Sequence, residues 1–260
     1  MLEGIKEILF LLFKYTGENR LEKILFRSQL YKMLKRYRHD RLYDVNSSLD
    51  WSDGYFVKHL SLRDELLASL SSIKYFDSQG HRHILDEIRQ GGLDEVRFVS
   101  QSRLHTKIPE LQKFSATDEI MELVYDYLGE NAFLANSIAW LTLPDIDHDS
   151  FEYKFHYDIN NTKWLNVFVY LNDVDLQKGP HSCIEGTTER KHLLSFVERR
   201  LTVNRALKLY GDKRIKVFTG DAGTAVFEDT SNYHRALPVT KGYRWMLQLN
   251  YSNVKLMDLE

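Results

Sequence analysis

From Gly129 onward the hydrophobic period of the chain drops from that of a helix to two. This half of the sequence becomes a succession of short strand-like runs at residues 133–143, 151–156, 164–171, 214–218, 223–227 and 243–251. Between them stand Asn160-Asn161, Lys178-Gly179-Pro180, Gly220-Asp221 and Lys241-Gly242. Short alternating runs divided by turn residues predict a mainly β sandwich or barrel. One helical stretch, Glu189–Leu209, interrupts the series. Before Gly129 the spacing predicts helices over 61–73, with Ser61 as N-cap, and over 118–128, opened by Asp118 and stopped by Gly129, and residues 53–57 read as turn then strand. Helices that come first are expected to pack on one outer face of the sheets.

The chemistry concentrates in Phe155-His156-Tyr157-Asp158. Successive side chains of a strand point to opposite faces, so His156 and Asp158 share one face. A neutral imidazole and a carboxylate at that spacing can bind one metal ion, although about one such triplet is expected by chance in a chain of this composition. The pair gains weight from His234, beyond the strand that Gly220-Asp221 opens, and from Arg244 ten residues later. On the last strand Arg244, Met246, Gln248 and Asn250 form one face, and Tyr243, Trp245, Leu247, Leu249 and Tyr251 the other. The second face is the one to bury under helices. A guanidinium on the inner face is costly to bury unpaired, and an anionic ligand would neutralise it with a two-pronged hydrogen-bonded pair.

This order of residues resembles the iron(II)/2-oxoglutarate dioxygenases, in particular their phytanoyl-CoA dioxygenase-like branch. The segments that carry the likeness are DGYFVKHLSLRDELLASL, LNVFVYLNDVDLQKGPHSCIEGTTERKH and GDAGTAVFEDTSNYHRALPVTKGYRWMLQLNYS, from about Asp53 to Ser252. The resemblance implies a double-stranded β-helix, a jelly-roll or cupin-like barrel with flanking N-terminal α-helices, over residues 51–260. It implies that His156, Asp158 and His234 ligate Fe(II), and that Arg244 holds the distal carboxylate of 2-oxoglutarate, with O2 as the other cosubstrate. Asn136, on the strand before His156, and Asn166, on the strand after it, are the further candidates for cosubstrate contact. The expected reaction is hydroxylation of an unactivated C–H bond in a small or conjugated metabolite (a lipid, sugar or natural-product intermediate), with release of succinate and CO2. Phe155 stands where many relatives have Trp, Glu185 where many have Pro, and Thr187-Thr188 replace a Ser-His pair. None of these removes a metal ligand, and Asp158 argues against the halogenating subgroup, in which a small residue takes its place.

Other polar residues nearby have plainer readings. His148 and His181 read as loop or core histidines, Lys154 as a solvated rim residue, Tyr153 and Tyr157 as walls, and Cys183 as a small buried hydrophobe. Asp145, Asp147 and Asp149 lack the Gly and Glu of a calcium loop. A non-catalytic ligand-binding jelly roll is the rival reading from another functional class.

Composition bounds the remainder. The 260 residues hold 35 Lys+Arg against 37 Asp+Glu, and 43% are hydrophobic, which excludes a disordered chain and offers no global argument for nucleic acid. The single cysteine excludes a disulfide framework and a cysteine-based zinc site, and it fits a reducing, cytoplasmic setting. The apolar run at 8–13 is far short of the about 20 residues a membrane span needs. Residues 1–50 read as a helical extension. Within it, residues 20–43 carry eight Lys/Arg against Glu22 and Asp40 in an amphipathic pattern. That face is either solvated or a contact with anionic lipid, phosphate or an acidic substrate; a peripheral contact with an anionic membrane surface gives a third functional reading, in which the chain is an adaptor.

Overall fold

Two facing antiparallel sheets make up the core of the computed structural model, which describes residues 47–93, 95–144, 153–158, 163–188 and 200–253. All of these except Lys163 belong to one compact unit. The strands are β1 (Tyr55–His59), β2 (Tyr75–Phe76), β3 (Arg82–His83), β4 (Arg97–Ser100), β5 (Phe133–Thr142), β6 (Phe155–His156), β7 (Trp164–Tyr170), β8 (His181–Ile184), β9 (Arg200–Leu201), β10 (Ile215–Phe218), β11 (Thr224–Glu228), β12 (Tyr233–Ala236) and β13 (Arg244–Ser252). The helices are α1 (Asp64–Ser72), α2 (Leu85–Gln90), α3 (Pro109–Ser115), α4 (Asp118–Leu128) and α5 (Val203–Tyr210). The large sheet runs β1-β11-β7-β13-β5-β4-β2-β3 and the small one β10-β8-β12-β6-β9. This is the double-stranded β-helix, in which strands distant in sequence become neighbours.

Alternation decides which face does what. Ala139 and Leu141, Leu165, Val167 and Val169, and Trp245, Leu247 and Leu249 all point outward. They form one buried cluster with Leu66 and Leu70 of α1, Ile88 of α2, Leu111 of α3 and Ile120, Leu123 and Val124 of α4. The helical layer thus covers the large sheet, as the amphipathic spacing of 118–128 predicts. Polar ties fix its position: the Tyr75 hydroxyl accepts from Trp245 Nε1 at 2.8 Å and donates to the Leu70 carbonyl of α1 at 3.1 Å, and the Tyr251 hydroxyl donates to the Ser115 carbonyl of α3 at 2.6 Å. Phe168, Tyr170, Val226 and Met246 point the other way and pack against Cys183 and Phe218 of the small sheet. That space between the sheets is the barrel interior.

Two boundaries differ from those the sequence predicts. Ser61 does not cap α1, which starts at Asp64 after an extended Arg63. The β1 ladder instead continues through Leu60, whose N–H donates to the Gly223 carbonyl at 2.8 Å, and this keeps the next residues extended. Asp64 and Glu65 in the first turn serve the helix dipole in place of a cap. Within 189–209, residues 189–199 lie outside the described residues. Arg200–Leu201 pairs with β6 as a strand, and the helix begins only at Val203, where the Thr202 hydroxyl accepts from the Arg205 N–H at 3.2 Å. The short strands β2, β3, β4, β8 and β12, which periodicity does not single out, complete the sheets together with β9. The extension 1–50 falls almost wholly outside the described residues, including the whole basic segment 20–43, as do His148 and the aspartates at 145, 147 and 149. Among the described residues no helix is long and apolar enough to cross a membrane.

Candidate metal centre

β6 and β12 are paired so that His156 lies directly opposite His234. Their ring centroids are 4.4 Å apart. Asp158, just past the end of β6, is held by its backbone N–H, which donates to the Thr230 carbonyl at 2.8 Å. One potential ligand atom from each of His156, Asp158 and His234 lies within 4.8 Å of the others. These three residues, 78 positions apart at the extremes, are brought to one point by the register of the small sheet.

The histidines are prepared as ligands. His156 Nδ1 is 3.0 Å from the Lys154 carbonyl, and His234 Nδ1 is 3.0 Å from the Asn232 carbonyl. A carbonyl only accepts, so each Nδ1 carries the proton and each Nε2 presents its lone pair. Burial, and then the neighbouring His234, pull the His156 imidazole down to about 4, so it is neutral near pH 7. Asn232 is itself braced. Its amide donates to the Asp53 carbonyl at 2.9 Å and accepts from the Thr187 hydroxyl at 3.0 Å. Gly54, with φ +80°, leaves room for this, since a Cβ there would stand 2.3 Å from the Asn232 amide nitrogen.

Arg244 opens β13 on the inner face of the large sheet and is 5% exposed. Its Nη1 donates to the Gly179 carbonyl, and its Nη2 reaches the Thr142 hydroxyl at 3.4 Å. Its Nε has no partner, and among the described residues no carboxylate pairs with it. Burial lowers its affinity for a proton, yet a guanidinium stays charged. A buried cation with an unused donor is the arrangement that an anionic ligand completes.

The two asparagines do not join Arg244. Thr142 is the residue of β5 in register with Arg244, and Asn136 is in register with Asn250. Six residues of strand put Asn136 about 20 Å further along the sheet. Its Oδ1 accepts the Arg103 N–H at 2.8 Å and so holds the turn at 104–106 against β5. Period-two alternation puts Asn136, Ile138, Trp140 and Thr142 on the same face, and only the pairing register selects Thr142. Asn166 is buried, and its amide is committed to protein. Its Oδ1 accepts from the Trp164 indole and the Asn250 amide, and its Nδ2 donates to the Thr230 hydroxyl at 3.0 Å. Asn166 therefore supports the segment that anchors Asp158.

His181 is a core histidine, as its sequence context predicts, but it also borders the centre. Its ring lies 4.4 Å from that of Phe168 and 5.8 Å from that of His234. Its Nε2 meets Glu228 Oε2 at 2.6 Å, across from β8 to β11. Glu228 is fully buried, and burial raises its carboxyl to about 8. Burial, and then Arg244, lower the His181 ring to about 3. Sequence reasoning missed Glu228, whose neighbours signal nothing but a strand. Cys183 is buried and free, and Tyr153 and Tyr157 are buried walls.

A double-stranded β-helix holding two histidines and a carboxylate at one point, with a buried arginine on the facing sheet, defines the class of site. Solved structures share the fold. HygX from Streptomyces hygroscopicus, with nickel, 2-oxoglutarate and hygromycin B bound, is 13% identical over 86% of this chain and 89% of its own, with a TM-score of 0.54. EctD from S. alaskensis with bound Fe is 15% identical over 81% of this chain and 82% of its own, with a TM-score of 0.52. At such identities the likeness is one of fold. No protein-family model and no curated protein matches the chain.

Proposed function

We propose that this protein is a non-haem Fe(II)- and 2-oxoglutarate-dependent oxygenase. The observation that carries the reading is the convergence of His156, Asp158 and His234 within 4.8 Å. Two imidazoles and one carboxylate on one side of a metal are the donor set that suits Fe(II) with open positions. His156, Asp158 and His234 would hold the metal, and Arg244, with the Thr142 hydroxyl beside it, would hold the distal carboxylate of 2-oxoglutarate. The structures of HygX with nickel and 2-oxoglutarate and of EctD with 2-oxoglutarate and 5-hydroxyectoine support the choice of cosubstrate. Bound there, the iron with 2-oxoglutarate and O2 supplies the oxidation of an unactivated C–H bond, with succinate and CO2 released.

The chain's own part is to bind, orient and exclude water. The Lys154 and Asn232 carbonyls keep both imidazoles in the ligating tautomer. Phe168, Tyr170, Val226 and Met246 line a dry interior beside the centre, in which charged contacts are strong. The proposed substrate is a small or conjugated metabolite (a lipid, sugar or natural-product intermediate), the proposed outcome hydroxylation, and the proposed branch the phytanoyl-CoA dioxygenase-like one. Residues 1–50 are proposed as a helical extension whose basic face is solvated. Binding to anionic vesicles that high salt abolishes would assign that face to a membrane instead.

The test supplies Fe(II) and 2-oxoglutarate and follows succinate, with Asp158→Ala as control. Succinate from the wild type and none from the variant is the expected result. No succinate with any substrate, together with no metal binding, rejects the reading and favours a non-catalytic jelly roll.

A further inference from the structure

We propose that the cavity between α1, β2, β3 and residues 104–110 binds a small phosphate monoester, whose phosphate is held by Lys74, Arg82 and Lys107 and whose apolar body lies on Ile73, Phe76 and Ile108. The cavity measures about 520 Å³, inside the about 300–1,000 Å³ of small-molecule sites. None of the residues that line it belongs to the metal centre, so the inference stands apart from the oxygenase reading. Phe76 is directly opposite Arg82 across β2 and β3, and the two share a face. Lys74, two residues before Phe76, projects to the same side, while Tyr75 between them is buried in the helix-covered core. Strand alternation thus delivers two cations and a ring to one opening.

Among the described residues no carboxylate pairs with Lys74 or Arg82. Lys107 Nζ donates to Gln101 Oε1 at 2.7 Å, a neutral acceptor that leaves its charge uncompensated. The one carboxylate in the lining, Glu110, accepts the Ser69 hydroxyl at 3.1 Å and ties α3 to α1. Three cations against one carboxylate leave the lining with a net charge of +2. A phosphate monoester carries about −1.5 to −2 at pH 7 and so cancels it, with charge-assisted hydrogen bonds from the Arg82 fork. The wall opposite the strands is braced from the large sheet. Arg103, which opens the turn at 104–106, has φ +59°, the one positive φ at a non-glycine among the described residues. Asn136 Oδ1 accepts its N–H at 2.8 Å, and the His105 N–H donates to the Ser137 hydroxyl at 2.9 Å. Such a backbone persists only where its surroundings enforce it. The cavity is therefore formed before a ligand arrives, which lowers the ordering cost of binding.

The experiment titrates the full-length protein calorimetrically with phenyl phosphate, inorganic phosphate and phenol, with 2-oxoglutarate present throughout to occupy Arg244. Phenyl phosphate is expected to bind saturably, about tenfold or more tighter than inorganic phosphate, because its ring adds apolar burial. Phenol, which lacks the charge, is expected not to bind measurably. Arg82 and Lys74 are exposed, so Arg82→Ala and Lys74→Ala should leave the Tm unchanged. Each is expected to weaken phenyl phosphate by about tenfold. Arg82→Lys, which keeps the charge, is expected to recover part of the loss. The absence of saturable binding, equal affinity for phenyl and inorganic phosphate, or an Arg82→Ala/Lys74→Ala double variant that binds phenyl phosphate as the wild type does would each overturn the proposal. None of these results bears on the oxygenase reading, which the succinate assay tests by itself.

Discussion

His156 and His234 face one another across two paired strands, and each donates its Nδ1 proton to the carbonyl two residues upstream, just before its own strand begins. The two rings are held by one device, used twice, and it costs no other side chain. Their Nε2 atoms therefore point at a shared position before any ligand arrives, which lowers the ordering entropy that metal binding must overcome.

Metal should accordingly stabilise the fold only when the three ligands are present. Saturating Mn(II) is expected to raise the Tm of the wild type, by about 2.7 kcal/mol of stability at a hundred times Kd. The Tm of His156→Ala and Asp158→Ala should not move with Mn(II). A shift in either variant equal to that of the wild type would place the metal elsewhere.

Asn166 should act on the metal at a distance. It donates to the Thr230 hydroxyl, and Thr230 in turn accepts the Asp158 N–H. Asn166→Ala is expected to weaken Mn(II) binding by about 10–100-fold, the usual effect of removing an outer support. A variant with lowered Tm and wild-type metal affinity would reduce the residue to sheet packing.

Gly179 should matter through its backbone. Its φ is +68°, its carbonyl accepts a hydrogen bond from Arg244 Nη1, and a Cβ would stand 2.5 Å from the Leu237 carbonyl oxygen. Gly179→Ala is expected to cost about 1–3 kcal/mol by urea unfolding and to weaken 2-oxoglutarate binding. Gly80, at φ +84° with nothing within 4 Å of its would-be Cβ, is the control that isolates backbone strain. Equal losses at both glycines would show that the Arg244 contact adds nothing.

The buried His181–Glu228 pair sets a pH dependence whose sign follows from the shifts. An ordinary glutamate ionises near 4.5, and burial holds the Glu228 proton on to about 8. The folded state thus binds more protons than the unfolded state between these values, so stability linked to Glu228 is full below about 4.5 and is lost as pH rises to about 8. Glu228→Gln keeps an acceptor for His181 and has no such proton. In chelator-treated protein its stability relative to wild type should rise with pH across that window, by at most about 1.4 kcal/mol per pH unit. A difference independent of pH would contradict this account.

Arg244 and Asn136 show how far the sequence could be read. The alternation along 243–251 assigned Arg244 to the interior and Trp245, Leu247 and Leu249 to the helices, because that assignment depends only on the period of a strand. The same logic left Asn136, Ile138, Trp140 and Thr142 equivalent, and register then placed Thr142 beside Arg244 and Asn136 about 20 Å away. Glu228 was not legible at all. Nothing local distinguishes a glutamate on a short strand from a solvated one, and its meaning comes from His181, far away in the chain.

By itself the sequence determined the strand-rich fold class, the inner and outer faces of its strands, and the identity of a His-x-Asp pair with a later His and Arg, since periodicity and residue chemistry are local properties. Only the tertiary structure decided which residues meet. It set Thr142 beside Arg244, tied Asn166 to the anchor of Asp158 and buried Glu228 against His181, because strand pairing is a contact between distant segments that no local pattern encodes.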